Sequence, residues 1–192
     1  MTEGLAASWP TCQNRPVAPL ATPIAISWPG PHDLAMDDVE IRPARADDAA
    51  EIADVYLASF AATYAFPRAH SDADTRRWIA EVLLASHEVW VARATAEGPI
   101  VAMMALTDEM VDQLYVAPGW TAHGIGSRLI GLAQSRRPNG LDLYTFQVNR
   151  GARRFYERHG FVEVASSDGS ENEERQPDVH YAWRPAAADS MR

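Results

Sequence analysis

The stretch VAPGWTAHGIGSRLI, residues 116–130, constrains this chain most, because a β-branched run turns at a Pro-Gly corner and meets an amphipathic run. Gly124 and Gly126 stand where a helix should begin. The first N–H groups of a helix have no intrahelical partners and lie at the positive end of its dipole, so this arrangement predicts an anion site. The alternative is a tight turn without a ligand, and two glycines alone do not decide between them.

The two familiar nucleotide motifs do not fit this stretch. A dinucleotide fingerprint needs a third glycine at position 129, where the chain has Leu129. A P-loop needs Gly-Lys-Ser/Thr, and the chain has Gly126, Ser127 and Arg128 in those places. A phosphate at this site would therefore belong to another class of ligand.

Composition excludes several classes of protein. With 192 residues and 47% hydrophobic content, the chain should fill one core. A net charge of -9 argues against nucleic acid as a partner. The single cysteine, Cys12, excludes an internal disulfide, and the absence of a long apolar run predicts no membrane span or membrane partner. We expect a cytoplasmic protein.

Residues 1–35 differ from the rest because they are rich in proline and show neither helical nor strand periodicity. We predict a disordered N-terminal tail, a folded domain over residues 36–185 and a short C-terminal tail over residues 186–192. Docking of part of the first segment on the domain, through Trp9 or Trp28, remains an alternative.

Hydrophobic periodicity predicts an ordered series of elements in the domain. Ser71 has Asp74 three residues on and is a plausible N-cap for the second helix. The three strands after that helix should form an antiparallel meander. The predicted elements are a strand at 39–44, a helix at 48–64, a helix from 71, two strands around a turn at 97–99, a strand at 110–116, a helix at 124–136, a strand at 141–148, a helix at 149–159 and two final strands.

A second motif, FQVNRGARRFYERHGFVEV, combines a strand with a helix that Asn149 is well placed to cap. Ala152, Phe155 and Tyr156 fall on adjoining positions of that helix. A tyrosine beside an apolar stripe is usually a core residue, so Tyr156 alone would indicate no activity.

Together the two motifs resemble the GCN5-related N-acetyltransferase (GNAT) superfamily, and the resemblance extends over Val39 to Pro185. The family's pyrophosphate loop, Q/R-x-x-G-x-G/A, falls on residues 121–126, with Thr121 in place of the usual Gln or Arg. The resemblance implies an α/β (α+β) fold, in which about four helices flank a mixed central sheet of about six or seven strands. It also implies acetyl-CoA as co-substrate, and a homodimer is common in the family.

In such a fold the strand at 110–116 separates from its neighbour at 141–148, and the gap binds the pantetheine arm. The resemblance assigns the cofactor to Leu114, Tyr115, Val116, Thr121, Ala122, His123, Gly124, Ile125, Gly126, Ser127, Asn149, Ala152 and Phe155.

The resemblance also implies direct attack by an amine, with Tyr156 as the general acid for the departing thiolate. Asp112 is our candidate base, because a period of two puts it on one strand face with Leu114 and Val116. Glu109, Glu173 and Glu174 are rival candidates for the base, although an acidic run in a loop, such as the one at 167–178, is most often simply solvated. No metal is expected, because HEVWV at residue 87 lacks the second histidine of H-E-x-x-H.

The acceptor should be a primary amine of a small molecule or peptide. Phe60, Tyr64 and Trp78 are candidate pocket residues, although aromatic residues at helical spacing are more often core. Protein N-terminal acetyltransferases carry a glutamate near position 144, where this chain has Tyr144, which disfavours a ribosomal-protein acceptor. A non-catalytic acyl-CoA-binding module is the alternative function.

Overall fold

The computed structural model describes residue 28 and residues 39–185. The proposed tails at 1–35 and 186–192 therefore lie outside the described residues, apart from Trp28. The Trp28 indole N–H donates a hydrogen bond to the carbonyl oxygen of Ile100 at 3.1 Å, and its ring packs against the core. The domain boundaries themselves stay a prediction.

The described elements follow the predicted order. A 3-10 turn at Ala46–Asp48 precedes the first helix, and a π-helical turn at Ile79–Leu83 joins the second helix to the third. The elements are β1 (Glu40–Pro43), α1 (Ala49–Thr63), α2 (Asp72–Trp78), α3 (Leu84–Ser86), β2 (Glu88–Arg93), β3 (Ile100–Leu106), β4 (Val111–Val116), α4 (Ile125–Arg136), β5 (Leu141–Phe146), α5 (Arg150–Arg158), β6 (Val162–Ser167) and β7 (Asp178–Trp183).

The strands form two antiparallel sheets. Strands β1 to β4 pair in sequence order, which confirms the predicted meander, and the second sheet has the order β5-β7-β6. A single parallel bridge between Met110 and Asp142 connects the two sheets within the described residues. The mixed character of the expected sheet is therefore confined to the junction between β4 and β5.

The core is built around β3, whose sequence IVAMMAL is buried at every position. Helices α1 and α4 both pack against this strand, so neither of its faces meets solvent. Continuous burial explains why β3 lacks the apolar-polar alternation of a half-exposed strand. The second helix begins as predicted, since the Ser71 hydroxyl accepts the N–H of Asp74 at 3.2 Å.

A buried ion pair fixes the start of α1 to β1. The two carboxylate oxygens of Asp48 accept hydrogen bonds from the Arg42 guanidinium at 2.7 and 2.8 Å, and the Arg45 backbone N–H donates to one of them at 2.7 Å. The Arg42 hydrogen bond is the main cause that lowers the pKa of Asp48 to about 2. A carboxylate only 6% exposed is tolerated here because its charge and lone pairs are satisfied.

Candidate active site

The two sheets separate directly after their bridge. The N–H of Asp142 donates to the carbonyl oxygen of Glu109 at 2.8 Å, and the parallel bridge from Met110 lies beside it. Beyond that point β4 pairs with β3 alone and β5 with β7 alone, within the described strands. The gap that the resemblance implied is therefore present, and one edge of β4 has backbone groups without a strand partner.

The segment between β4 and α4 presents its backbone to solvent. Residues 121–124 are exposed, and both Ala122 (φ 65°) and Gly124 (φ 78°) adopt left-handed conformations. Gly124 is the N-cap residue of α4, a position at which any side chain would strain the backbone. The result is an open loop that ends on the unpaired N–H groups of a twelve-residue helix.

Glycine at position 126 is explained by side-chain packing and not by backbone conformation. A Cβ atom at this position would lie 3.2 Å from Cζ of Phe155, so the absence of a side chain lets the α5 ring pack against the first turn of α4. Gly124 is thus explained by its left-handed backbone, and Gly126 by the close approach of the Phe155 ring. The features of this region that suit a phosphate-bearing ligand are the exposed backbone of the loop and the adjacent gap.

Asn149 connects α5 to the far wall of the gap. Its Oδ1 accepts the N–H of Ala152 at 3.0 Å, which confirms the predicted cap, and its Nδ2 donates to the Tyr64 hydroxyl oxygen at 2.9 Å. Burial raises the pKa of Tyr64, and the Asn149 hydrogen bond opposes that effect. One side chain therefore fixes both the start of α5 and the end of α1.

Tyr156 lies on α5 next to the same gap. It is 8% exposed, lines the cavity, and packs against Phe155 and Phe161 with ring centroids 5.3 and 5.7 Å away. Burial, with a smaller contribution from Tyr64, raises the pKa of its phenol well above the ordinary value of 10.0. The hydroxyl consequently keeps its proton at neutral pH.

A cavity of about 1010 Å³ extends from the gap between α1, α2 and the second sheet. Phe60, Tyr64 and Trp78 line it, as do Asp112, Leu114, Tyr115, Asn149 and Ala152. Phe60 and Trp78 are also core residues, at 2% and 6% exposure. Phe60 and Trp78 are therefore both core residues and cavity-lining residues, because their rings belong to the core and border the cavity.

The strand argument for Asp112 is wrong in one respect. The register shifts so that Ala105 pairs with Gln113 and Leu106 with Val111, which leaves Asp112 as an extra residue in β4. Such a bulge interrupts the period of two on which a shared face with Leu114 and Val116 depended. Asp112 does line the cavity, but its carboxylate contacts His87 Nε2 at 3.4 Å and accepts the Gln113 side-chain amide at 3.2 Å.

The structure adds an imidazole that sequence reasoning missed. His180 Nε2 lies 2.7 Å from Asp142 Oδ1, and the His180 ring stacks on Tyr144 at 4.6 Å. Arg184 Nη2 donates to the other oxygen of Asp142 at 2.7 Å. No local motif predicts that His180 lies beside Tyr144 and Asp142. These residues meet only because β5 pairs with β7 in a register that places positions 144 and 180 opposite each other.

Two negative findings apply to residues 28 and 39–185. No group of three or more His, Cys, Asp or Glu side chains lies together in a way that could hold a metal ion. No helix in this part of the chain has the length and apolar character required to cross a membrane.

The sequence was compared with models of protein families and with curated proteins. Residues 85–163 match the family model of the acetyltransferase (GNAT) domain. A comparison with curated protein sequences found no match.

Solved structures share the fold over most of the chain. The apo form of YjaB from Escherichia coli is 25% identical, with a TM-score of 0.64 over 77% of this chain and 99% of that one. The PaiA N-acetyltransferase of Thermoplasma acidophilum, solved with coenzyme A, is 20% identical with a TM-score of 0.59 over 77% and 99%. The ribosomal-protein-S18-alanine N-acetyltransferase of Escherichia coli is 19% identical with a TM-score of 0.58 over 80% and 99%. The resemblance to the GNAT superfamily is thus supported by the domain match over residues 85–163, and the described residues have the GNAT fold.

Proposed function

We propose that this protein is an acetyl-CoA-dependent N-acetyltransferase that acetylates a primary amine of a small molecule or peptide. The observation that carries the proposal is the gap between β4 and β5, with Tyr156 and Asn149 beside it and a large cavity behind it. The same gap would receive the thioester from one side and the amine from the other.

The residues fit coenzyme A in two places. The exposed loop at 121–124 and the first turn of α4 offer backbone N–H groups to a pyrophosphate. The unpaired edge of β4 at Leu114, Tyr115 and Val116 would bind the amide groups of the pantetheine arm by strand-like hydrogen bonds. Acetyl-CoA supplies an activated acyl group on a thiol leaving group.

The expected role of Tyr156 is to donate to the departing sulfur. A phenol whose pKa is raised by burial is a weak acid beside an ordinary thiol, whose pKa is about 8.5. The same desolvation would raise the pKa of a thiol released in this cavity, because burial disfavours every anion. Tyr156 would therefore hold its proton until the sulfur becomes negatively charged.

Direct attack by the amine remains part of the proposal. It rests on the family resemblance. The amine must lose a proton before attack, so a carboxylate or imidazole of the cavity has to accept it.

Thiol release from acetyl-CoA tests this function across amines, amino acids, polyamines, aminoglycosides and peptides. The chain has no lysine, so acetylation of its own side-chain amines cannot be mistaken for turnover. Release with one class of amine is the expected result. Binding of coenzyme A in calorimetry without release for any acceptor would instead indicate a non-catalytic binding module, and no heat at all would reject the cofactor site.

The Tyr156→Phe substitution tests the acid. We expect kcat to fall about 100-fold or more with coenzyme A affinity within about twofold of wild type, since a missing proton donor affects the reaction and not cofactor binding. Tyr181→Phe is the matched control, because the Tyr181 hydroxyl bonds to Arg153 and Glu157 away from the cavity. Equal turnover in the Tyr156→Phe and Tyr181→Phe variants would contradict the assignment.

A further inference from the structure

The acidic loop between β6 and β7, residues 168–177, is held in a fixed conformation beside the cavity. Asn172 Nδ2 donates to the carbonyl oxygen of Gln176 at 2.7 Å and to Asp178 Oδ2 at 2.9 Å, while Asn172 Oδ1 accepts the Gln176 N–H at 3.1 Å. Arg175 has a φ of 51°, a left-handed conformation that reverses the chain direction beside Glu174. The loop is thus a built structure and not merely a solvated run of acidic residues.

This loop contacts the segment that follows α1. His70 Nε2 lies 2.9 Å from Glu173 Oε2, and the Ala69 backbone N–H donates to the carboxylate of Glu174. Glu174 itself is half-buried and lines the cavity. The α1 aromatic residues line the same cavity.

Glu174 lines the same cavity as Tyr56, Tyr64 and Tyr115. Burial is the main cause of the raised pKa values of Tyr56, Tyr64 and Tyr115, and the negative charge of Glu174 adds to each of them. Tyr115 belongs to β4 at the gap, and Tyr64 in turn raises the pKa of Tyr156. The Glu174 charge therefore acts on the region where the acetyl group would be transferred.

Three other carboxylates that line the cavity are engaged by side chains, and a fourth, Glu171, is exposed to solvent. Asp112 contacts His87, Glu173 contacts His70, and Asp178 accepts hydrogen bonds from Ser167 and Asn172. Glu174 is held by backbone N–H groups instead, and burial raises its pKa above the ordinary 4.5. A half-buried carboxylate of this kind is stabilised when a cation binds beside it.

The aromatic residues that line the cavity also suit a cation. Phe60, Tyr64 and Phe146 line the cavity, with the Phe60 and Tyr64 centroids 4.7 Å apart and those of Tyr64 and Phe146 5.2 Å apart. The Arg68 guanidinium lies 5.6 Å from the Phe60 centroid, so this wall already contacts one cation. Aromatic faces attract ammonium groups through the ring quadrupole.

We propose that Glu174 receives the ammonium group of a cationic acceptor and takes its proton before acetyl transfer. This inference rests on the proposed function and names the acceptor class as amines that carry no carboxylate. A carboxylate-bearing acceptor would bring a like charge beside the half-buried carboxylate of Glu174, which is unfavourable.

Two protons leave the acceptor nitrogen during the reaction. The ammonium gives one proton to Glu174, which later returns it to solvent, and the neutral nitrogen forms the C–N bond as the C–S bond breaks. The sulfur takes a proton from Tyr156, and the second proton lost by the nitrogen replaces the one that Tyr156 gave. The products are the acetamide, coenzyme A with a free thiol, and one proton.

His180 is the rival proton acceptor in the cavity. Asp142 orients its ring, an arrangement typical of an imidazole base. It stacks, however, on Tyr144, which is 56% exposed at the cavity rim, whereas Glu174 acts electrostatically on the tyrosines at the gap. The experiment therefore compares both residues.

Turnover is measured at saturating acetyl-CoA with hexamethylenediamine and with ε-aminocaproate, which have similar length and opposite charge at the far end. We expect wild type to favour the diamine at least about tenfold in kcat/KM. Glu174→Gln should lower kcat/KM for the diamine about 100-fold and narrow the preference, and Glu174→Asp should restore part of the loss. Glu97→Gln, an exposed charge on the β2–β3 turn, is the control and should stay within about twofold.

The pH profile separates proton transfer from a purely structural effect. The acid limb of kcat/KM should disappear in Glu174→Gln and persist in Glu97→Gln. The titratable groups around Glu174 are Glu173 and His70 together with the phenols of Tyr56, Tyr64 and Tyr115, and all remain in the variant.

Several outcomes would overturn the proposal. They are turnover of Glu174→Gln within about threefold of wild type, a wild-type preference for ε-aminocaproate, or a loss confined to His180→Gln. Failure of the proposed function looks different, because wild type would then release no thiol with any amine. Coenzyme A affinity, measured by calorimetry for each variant, shows whether the Glu174→Gln protein is folded.

Discussion

Two carboxylates show how differently this fold treats buried negative charge. Asp48, beneath α1, is 6% exposed, bound by Arg42 through both oxygens, and has a pKa lowered to about 2. Glu174, at the cavity, is half-buried, is held by backbone N–H groups, and has a raised pKa. The negative charge of Asp48 is balanced by Arg42 within the protein. The negative charge of Glu174 would be stabilised by a cation bound in the cavity.

The difference indicates which parts of the molecule serve stability and which serve binding. Removing one member of a buried ion pair destabilises the folded state, because the other member is left buried without a counter-charge. A carboxylate whose pKa is raised on folding disfavours the folded state at neutral pH. The comparison therefore predicts opposite effects of neutralising the two groups.

The largest effect is expected at the paired site. Asp48→Asn leaves the mostly buried guanidinium of Arg42 without its counter-charge, and the free energy of unfolding should fall by about 3 kcal/mol. Urea denaturation of wild type and variant at neutral pH measures this change. Asp47→Asn, an exposed neighbour, is the control and should change stability by less than about 0.5 kcal/mol.

The same pair of proteins has a defined pH dependence. The Asp48 pKa is lowered from 3.8 to about 2, so its contribution is fully present above pH 3.8 and is lost as pH falls through 2. The stability difference between wild type and Asp48→Asn should therefore shrink across that range. A difference that stays constant down to about pH 2 would contradict the pairing.

An intermediate effect is expected at Asn149, a cavity residue whose side-chain amide oxygen and nitrogen each make a hydrogen bond. Asn149→Ala removes the cap on Ala152 and the donor to Tyr64, and should cost about 1 to 2 kcal/mol of stability. Asn149→Ser keeps a capping oxygen and loses the Tyr64 contact. In thermal unfolding the Asn149→Ser variant should fall between wild type and Asn149→Ala, and equal losses would show that the cap contributes nothing.

The smallest effect is expected at Glu174, with the opposite sign. Because its folded pKa is raised above 4.5, stability is greatest when the group is protonated and decreases as pH rises through the folded pKa. At pH 7 Glu174→Gln should raise the free energy of unfolding by less than about 1 kcal/mol, with solvent screening reducing it further. The gain should vanish below about pH 4.5, and a Glu174→Gln variant less stable than wild type would break the comparison.

The sequence alone predicted the regular elements well where local rules govern them. The apolar run of β3, the Ser71 cap, the Asn149 cap and the order of strands and helices follow from periodicity and capping chemistry. It failed at Asp112, because a bulge depends on how β3 and β4 pair and leaves no mark in the β4 sequence.

What the sequence by itself determined was the resemblance to the GNAT superfamily, the loop with Gly124 and the helix that carries Tyr156, since these depend on residues adjacent along the chain. The tertiary structure alone decided which acid and imidazole groups meet in the cavity. The pairing of His180 with Asp142, and the presence of Glu174 and the α1 tyrosines in one cavity, bring together positions far apart in sequence. Their electrostatics depend on burial and distance, and neither quantity exists until the two sheets and the acidic loop have packed around the gap.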